Sequence, residues 1–139
     1  LGIMDTFMDE IVMSFSVRSS VESEKAELIS ELSAIAQSIG ATITVLGNYP
    51  AWEYKKNSRL REIMTSEYEE MYKKPMIVEA IHAGVECGIF SSKLEGLDAI
   101  SFGPDIMDIH TPKETLSVES AAKTWEYLKR VLLRLCYGK

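Results

Sequence analysis

The chain has 139 residues, a formal charge of −6 and an apolar fraction of 46%. That is enough for one domain, or two small pieces, with a core. The acidic balance argues against a nucleic-acid backbone as main partner, and no apolar run approaches the roughly 20 residues of a membrane helix. Leu1-Gly2-Ile3-Met4-Asp5 lacks the basic region and apolar stretch of a signal peptide, and a start without Met reads as a fragment, a processed product or an expression boundary. Cys87 and Cys136 form no Cys-x-x-Cys pattern. They read as free thiols of a reducing compartment, although spacing alone leaves a disulfide open.

Met8 to Arg18 alternates, with Ile11, Met13, Phe15 and Val17 on one face. Period 2 predicts a half-buried strand. Ser19, Ser20 and Ser23 are cap candidates for a following helix, in which Leu28, Leu32, Ile35 and Ile39 recur at helical spacing before Gly40 stops it. Ala41 to Leu46 is rich in β-branched residues and reads as a second strand, so that 8–46 is expected to be β-α-β. Gly47-Asn48-Tyr49-Pro50-Ala51-Trp52 breaks the pattern and predicts a boundary near 47–57.

Ser58 begins a second helix, with Leu60, Ile63, Met64, Tyr68 and Met71 on its apolar side and Pro75 as its stop. Met76 to Ile81 reads as a short strand, followed by His82 and the small-residue turn Ala83 to Gly88. A short helix around Ile89 to Leu94 and a strand Leu97 to Phe102 come next. The last helix is capped by Ser117, with Val118, Ala121, Ala122, Trp125, Leu128, Leu132 and Leu135 as its stripe. Residues 58–135 therefore read α-β-α-β-α, the pattern of a sheet covered by helices.

Ligands of open α/β sheets bind beyond the carboxyl ends of strands, and the polar loop Gly103 to Glu114 follows such a segment. It holds His110, stiffened by Pro112, which lacks an N–H and pushes Thr111 towards an extended backbone. His110 is either a metal ligand or a surface histidine in a proline-bearing turn. If the strands ending at Ile81 and Phe102 are neighbours, His82, Glu86, His110 and Glu114 share one rim, and imidazole with carboxylate is a normal zinc set. His82 equally suits a structural role at a strand end. Gly84 and Gly88 bracket Glu86 and permit close approach of a ligand to the backbone, or simply a tight turn. Arg18 suits a bidentate carboxylate clamp, or an exposed edge position. No Ser-His-Asp order, Walker loop or HExxH helix is present.

Ile81-His82-Ala83-Gly84-Val85-Glu86-Cys87-Gly88-Ile89-Phe90, Leu97-Asp98-Ala99-Ile100-Ser101-Phe102-Gly103-Pro104 and His110-Thr111-Pro112-Lys113-Glu114 resemble the C-terminal signature of aminoacyl-histidine dipeptidases (Xaa-His dipeptidases, or peptidase D), a branch of the di-zinc exopeptidases. Val17-Arg18-Ser19-Ser20-Val21 and Tyr49-Pro50-Ala51-Trp52 carry the same resemblance, so it covers essentially the whole chain. It implies an α/β fold: 1–47 as the second half of a lid or dimerisation domain (β-α-β), 48–57 as a linker, and 58–139 as the C-terminal part of a zinc-bearing catalytic domain. It implies His110 as a metal ligand, Arg18 as the clamp on the substrate's carboxylate, and Gly84 and Glu86 near that carboxylate end. It leaves His82 without an assigned role. It further implies two zinc ions per full-length parent chain, a small dipeptide substrate ending in His, a homodimer through the lid, and a cytoplasmic setting without membrane or nucleic acid. By the resemblance, the family's His-x-Asp pair, bridging Asp and the Glu-Glu pair that includes the general base lie in the first half of the enzyme, outside this chain. The expectation is a fragment with no catalytic residue and no activity of its own. The rival expectation is a non-catalytic β-α-β binding or dimerisation module.

Overall fold

The computed structural model describes residues 1–82 and 86–138. Its elements in chain order are β1 (Ile3–Thr6), β2 (Ile11–Ser14), α1 (Glu22–Ser38), α2 (Arg59–Tyr72), α3 (Glu86–Lys93), β3 (Ile106–Met107), β4 (Thr115–Leu116) and α4 (Val118–Tyr137). The chain divides into two compact units, Leu1–Tyr54 with Ala80–Glu95, and Lys55–Glu79 with Gly96–Lys139. Each mixes helices with a small antiparallel sheet, so the α/β class expected from the sequence is met.

In the first unit the strand expected over 8–18 shrinks to β2, which pairs with β1 from Ile3↔Ser14 to Thr6↔Ile11. The turn is closed by the Phe7 N–H donating to the Glu10 carbonyl at 2.8 Å. Both faces of this hairpin are exposed, so its alternation marks strand geometry without marking burial. Residues 41–46 form no ladder among the described residues, and in place of the β-α-β unit these show an antiparallel hairpin followed by a helix. Helix α1 starts after Val21, one residue before the Ser23 cap candidate, with the Val21 N–H held by Ser19 Oγ at 3.0 Å. Its first turn grips a distant loop. Glu22 Oε2 accepts from the Ala51 N–H at 2.6 Å and from Lys25 Nζ at 3.0 Å, and the buried Lys25 also donates to the Tyr49 carbonyl. The expected stripe of α1 is largely exposed at Leu28, Ile35 and Ile39.

The second unit holds the apolar core. Met64 of α2 packs with Tyr127 and Val131 of α4, and Leu60, Ile63, Tyr68, Met71, Met76 and Ile100 surround them. Burial of each large side chain stabilises by about 1.5–3 kcal/mol. The Tyr127 hydroxyl donates to the Met64 carbonyl at 2.7 Å, and its ring meets Tyr68 and Phe102 edge-on at 5.8 and 5.6 Å. Beside this contact the buried Glu67 carboxylate takes Arg130 at 3.1 Å and Arg134 at 3.6 Å. The apolar side read for α2 is therefore the packed one. The stripe read for α4 is not: Val118, Trp125, Leu132 and Leu135 are exposed, and the buried pair is Tyr127 and Val131. On that face of α4, Tyr127 and Val131 meet Met64, and Arg130 and Arg134 meet Glu67 of α2.

Caps match the sequence where a side chain makes them. Ser58 Oγ accepts from the Arg61 N–H at 3.0 Å, and Ser117 Oγ from the Ser120 N–H at 3.2 Å. Helix α2 ends at left-handed Lys73, two residues before Pro75. The segments 76–81 and 97–102 form no ladder among the described residues, contrary to the strands expected there. A strand is fixed by a hydrogen-bonded neighbour, and an apolar β-branched run does not supply one. No helix among the described residues is long and apolar enough to cross a membrane.

Candidate functional site

The loop that carries His110 is the turn of a second hairpin, which the sequence did not announce. β3 and β4 pair through Ile106↔Leu116 and Met107↔Thr115. Two-residue strands are too short for periodicity to register. Below the ladder, the Ser117 N–H donates to the Asp105 carbonyl at 3.0 Å, and the Asp105 N–H donates to Ser120 Oγ at 2.8 Å. The hairpin base is thereby tied to the first turn of α4.

Within the turn the backbone accounts close. The Asp108 carbonyl accepts from the Thr111 N–H at 3.1 Å and from Thr111 Oγ1 at 2.7 Å. The Lys113 N–H reaches Thr111 Oγ1 at 3.2 Å, and the Glu114 N–H reaches the Thr111 carbonyl at 3.1 Å. The His110 N–H donates to Glu114 Oε2 at 2.8 Å. Asp108 and His110 have positive φ, 52° and 65°. For L-residues this left-handed backbone costs roughly 1–2 kcal/mol each. Such strain persists where surrounding bonds over-determine it, and it concentrates at functional sites. The His110 side chain is exposed.

The other expected site residues lie in the first unit. Arg18 follows β2, is exposed, and donates from Nε to Ser16 Oγ at 3.2 Å. No ion pair engages it among the described residues, which leaves its guanidinium available to an anion. Glu86 is the first residue of α3 and is exposed, a placement the helix dipole favours for a carboxylate. His82 is exposed ahead of it. Gly84 falls outside the described residues. Gly88 is buried in α3 because the chain passes close: a Cβ there would stand 2.8 Å from the Pro50 carbonyl oxygen.

The donor set can be tested against zinc. An imidazole on an exposed, internally bonded turn suits one coordination position, and zinc normally takes about four. Among the described residues no three His, Cys, Asp or Glu side chains group to hold a metal. The described residues thus form no complete centre, and the stand-alone set of His82, Glu86, His110 and Glu114 gains no support.

No family model matches the chain. Over 132 residues, 95% of its length, it is 29% identical to the cytosol non-specific dipeptidase of Escherichia coli (strain K12), of which it spans 27%. In fold it is similar to the crystal structure of aminoacylhistidine dipeptidase from Vibrio alginolyticus, with a TM-score of 0.70 and 31% identity, over 84% of this chain and 24% of that one. The chain thus spans about a quarter of the length of the relatives it matches.

Proposed function

We propose, for a chain that is peptidase D-like in sequence and in fold, that it forms the closing part of a metallo-dipeptidase acting on Xaa-His dipeptides. The observation that carries the proposal is His110 in a strained, internally bonded turn on a hairpin fastened to α4. In this reading 1–47 is the second half of a lid or dimerisation domain, 48–57 a linker, and 58–139 the end of the catalytic domain. His110 supplies one ligand to a zinc centre whose other ligands, and whose general base, come from sequence outside this chain. Arg18 grips the substrate's free carboxylate in bidentate fashion, its guanidinium lying outside the ion pairs of the described residues. Gly84 and Glu86 lie at the same end of the substrate, and His82 stays without a role. Zinc, two ions per full-length parent chain, would polarise the scissile carbonyl and lower the pKa of the attacking water. The setting is cytoplasmic, and the lid supports a homodimer.

The test has two arms. The 139-residue chain, supplied with zinc and an Xaa-His dipeptide, is expected to release no free histidine. Efficient release would mean that the base and the remaining ligands are here after all. In a peptidase-length chain, His110→Ala is expected to lose one of two bound zinc ions and most of kcat. Retention of both ions, measured by elemental analysis, would refute the assignment of His110.

A further inference from the structure

We propose that Glu114 is a positioning residue: its carboxylate holds the His110 backbone in the left-handed conformation from which the imidazole is presented. The inference rests on the reading of His110 as a metal ligand, and it gives Glu114 a task different from coordination. Glu114 Oε2 accepts the His110 N–H at 2.8 Å, across a turn in which His110 has φ of 65°. A side-chain oxygen that closes the turn on the His110 amide offsets part of the cost of left-handed backbone at a non-glycine residue.

The neighbouring groups leave that carboxylate little competition. The N–H groups of Thr111, Lys113 and Glu114 already have acceptors within the loop, and Pro112 has no N–H to offer. Among the described residues it is the His110 amide that donates to this carboxylate. At its base the loop is immobilised by Asp105, Ser117 and Ser120, so the clamp acts on a fixed frame. A glutamate four residues past the histidine therefore sets the ring's exit direction through the main chain. A ligand set in advance loses less conformational entropy when a metal binds.

The experiment uses the 139-residue chain labelled with nitrogen-15. Amide exchange at His110 and its intraresidue amide-to-Hα cross-relaxation, which is strong at positive φ, report the clamp. Glu114→Ala is expected to speed His110 exchange about tenfold, as loss of one hydrogen bond should. It should also weaken the cross-relaxation, with α4 amides unchanged. Glu114→Gln retains a carbonyl oxygen at the same reach and is expected to restore both readings. Glu114→Asp retains the charge, falls short in reach, and is expected to behave as the alanine variant; it carries the test should that variant not fold. An unchanged His110 in the alanine variant, or a glutamine variant that fails to rescue, overturns the proposal. The amide readings need no metal, so failure of the clamp is separable from zinc retention by His110→Ala, which would sink the ligand assignment instead.

Discussion

Tyr127 joins the core to the backbone of α2 through one hydroxyl. Burial, with the Glu67 carboxylate nearby, pushes its pKa up from 10.0 to about 12. Because the folded value is the higher one, this stabilisation is complete below pH 10.0 and is lost as pH rises towards about 12. Tyr127→Phe is expected to lower stability by about 1 kcal/mol at neutral pH and to remove that alkaline loss. Urea titrations at a series of pH values would show it, and an unaltered alkaline slope would contradict it. Glu22 behaves with the opposite sign. The Ala51 N–H, and then Lys25, hold its carboxyl below the ordinary 4.5. Its contribution is present above that value and fades as pH falls through the depressed one. Glu22 is half exposed, so the effect is modest. Glu22→Gln should flatten the acid side of a Tm-against-pH curve, and a parallel, unflattened curve would count against the clasp.

Helices and strands differed in how well they could be read from sequence, for a physical reason. A helix carries its hydrogen bonds within one segment, so Ser58, Ser117 and the stop before Pro75 sufficed to mark α2 and α4. A strand's bonds belong to another segment, and 41–46, 76–81 and 97–102 have the composition without a paired neighbour among the described residues. The site divided likewise. His110 and its proline were visible as a motif, and Arg18 as a charge closing an alternating segment. The β3–β4 ladder, the left-handed turn and the Glu114 contact were not visible, because each depends on where the backbone bends. The seat of α3 was equally hidden. Gly88 looked like part of a permissive turn, yet it is a helical residue that admits the Pro50 carbonyl. Gly88→Ala is expected to cost about 1–3 kcal/mol by forcing that contact apart. A denaturation midpoint equal to the parent's would show that the loop yields freely.

At the scale of the whole molecule, the buried hydrophobic residues among those described are Met64, Tyr127 and Val131, while Val45, Leu46, Ile77, Val78, Phe102, Trp125 and Leu132 are exposed. Several of these lie on segments that are extended in composition and without a ladder, and such edges recruit other chains. Sedimentation velocity is expected to show concentration-dependent self-association of the 139-residue chain, suppressed when Ile77 and Val78 are replaced by lysine. A monomer at all concentrations would mean that these faces are covered in solution.

The fastening of Asp105 to Ser120 has a thermal corollary. The histidine loop hangs from the same helix that Tyr127 and the Glu67 ion pairs dock onto α2. Warming that undocks this helix would set the imidazole adrift in the same step, so the order of the histidine turn should vanish abruptly with the helix and not decay gradually ahead of it.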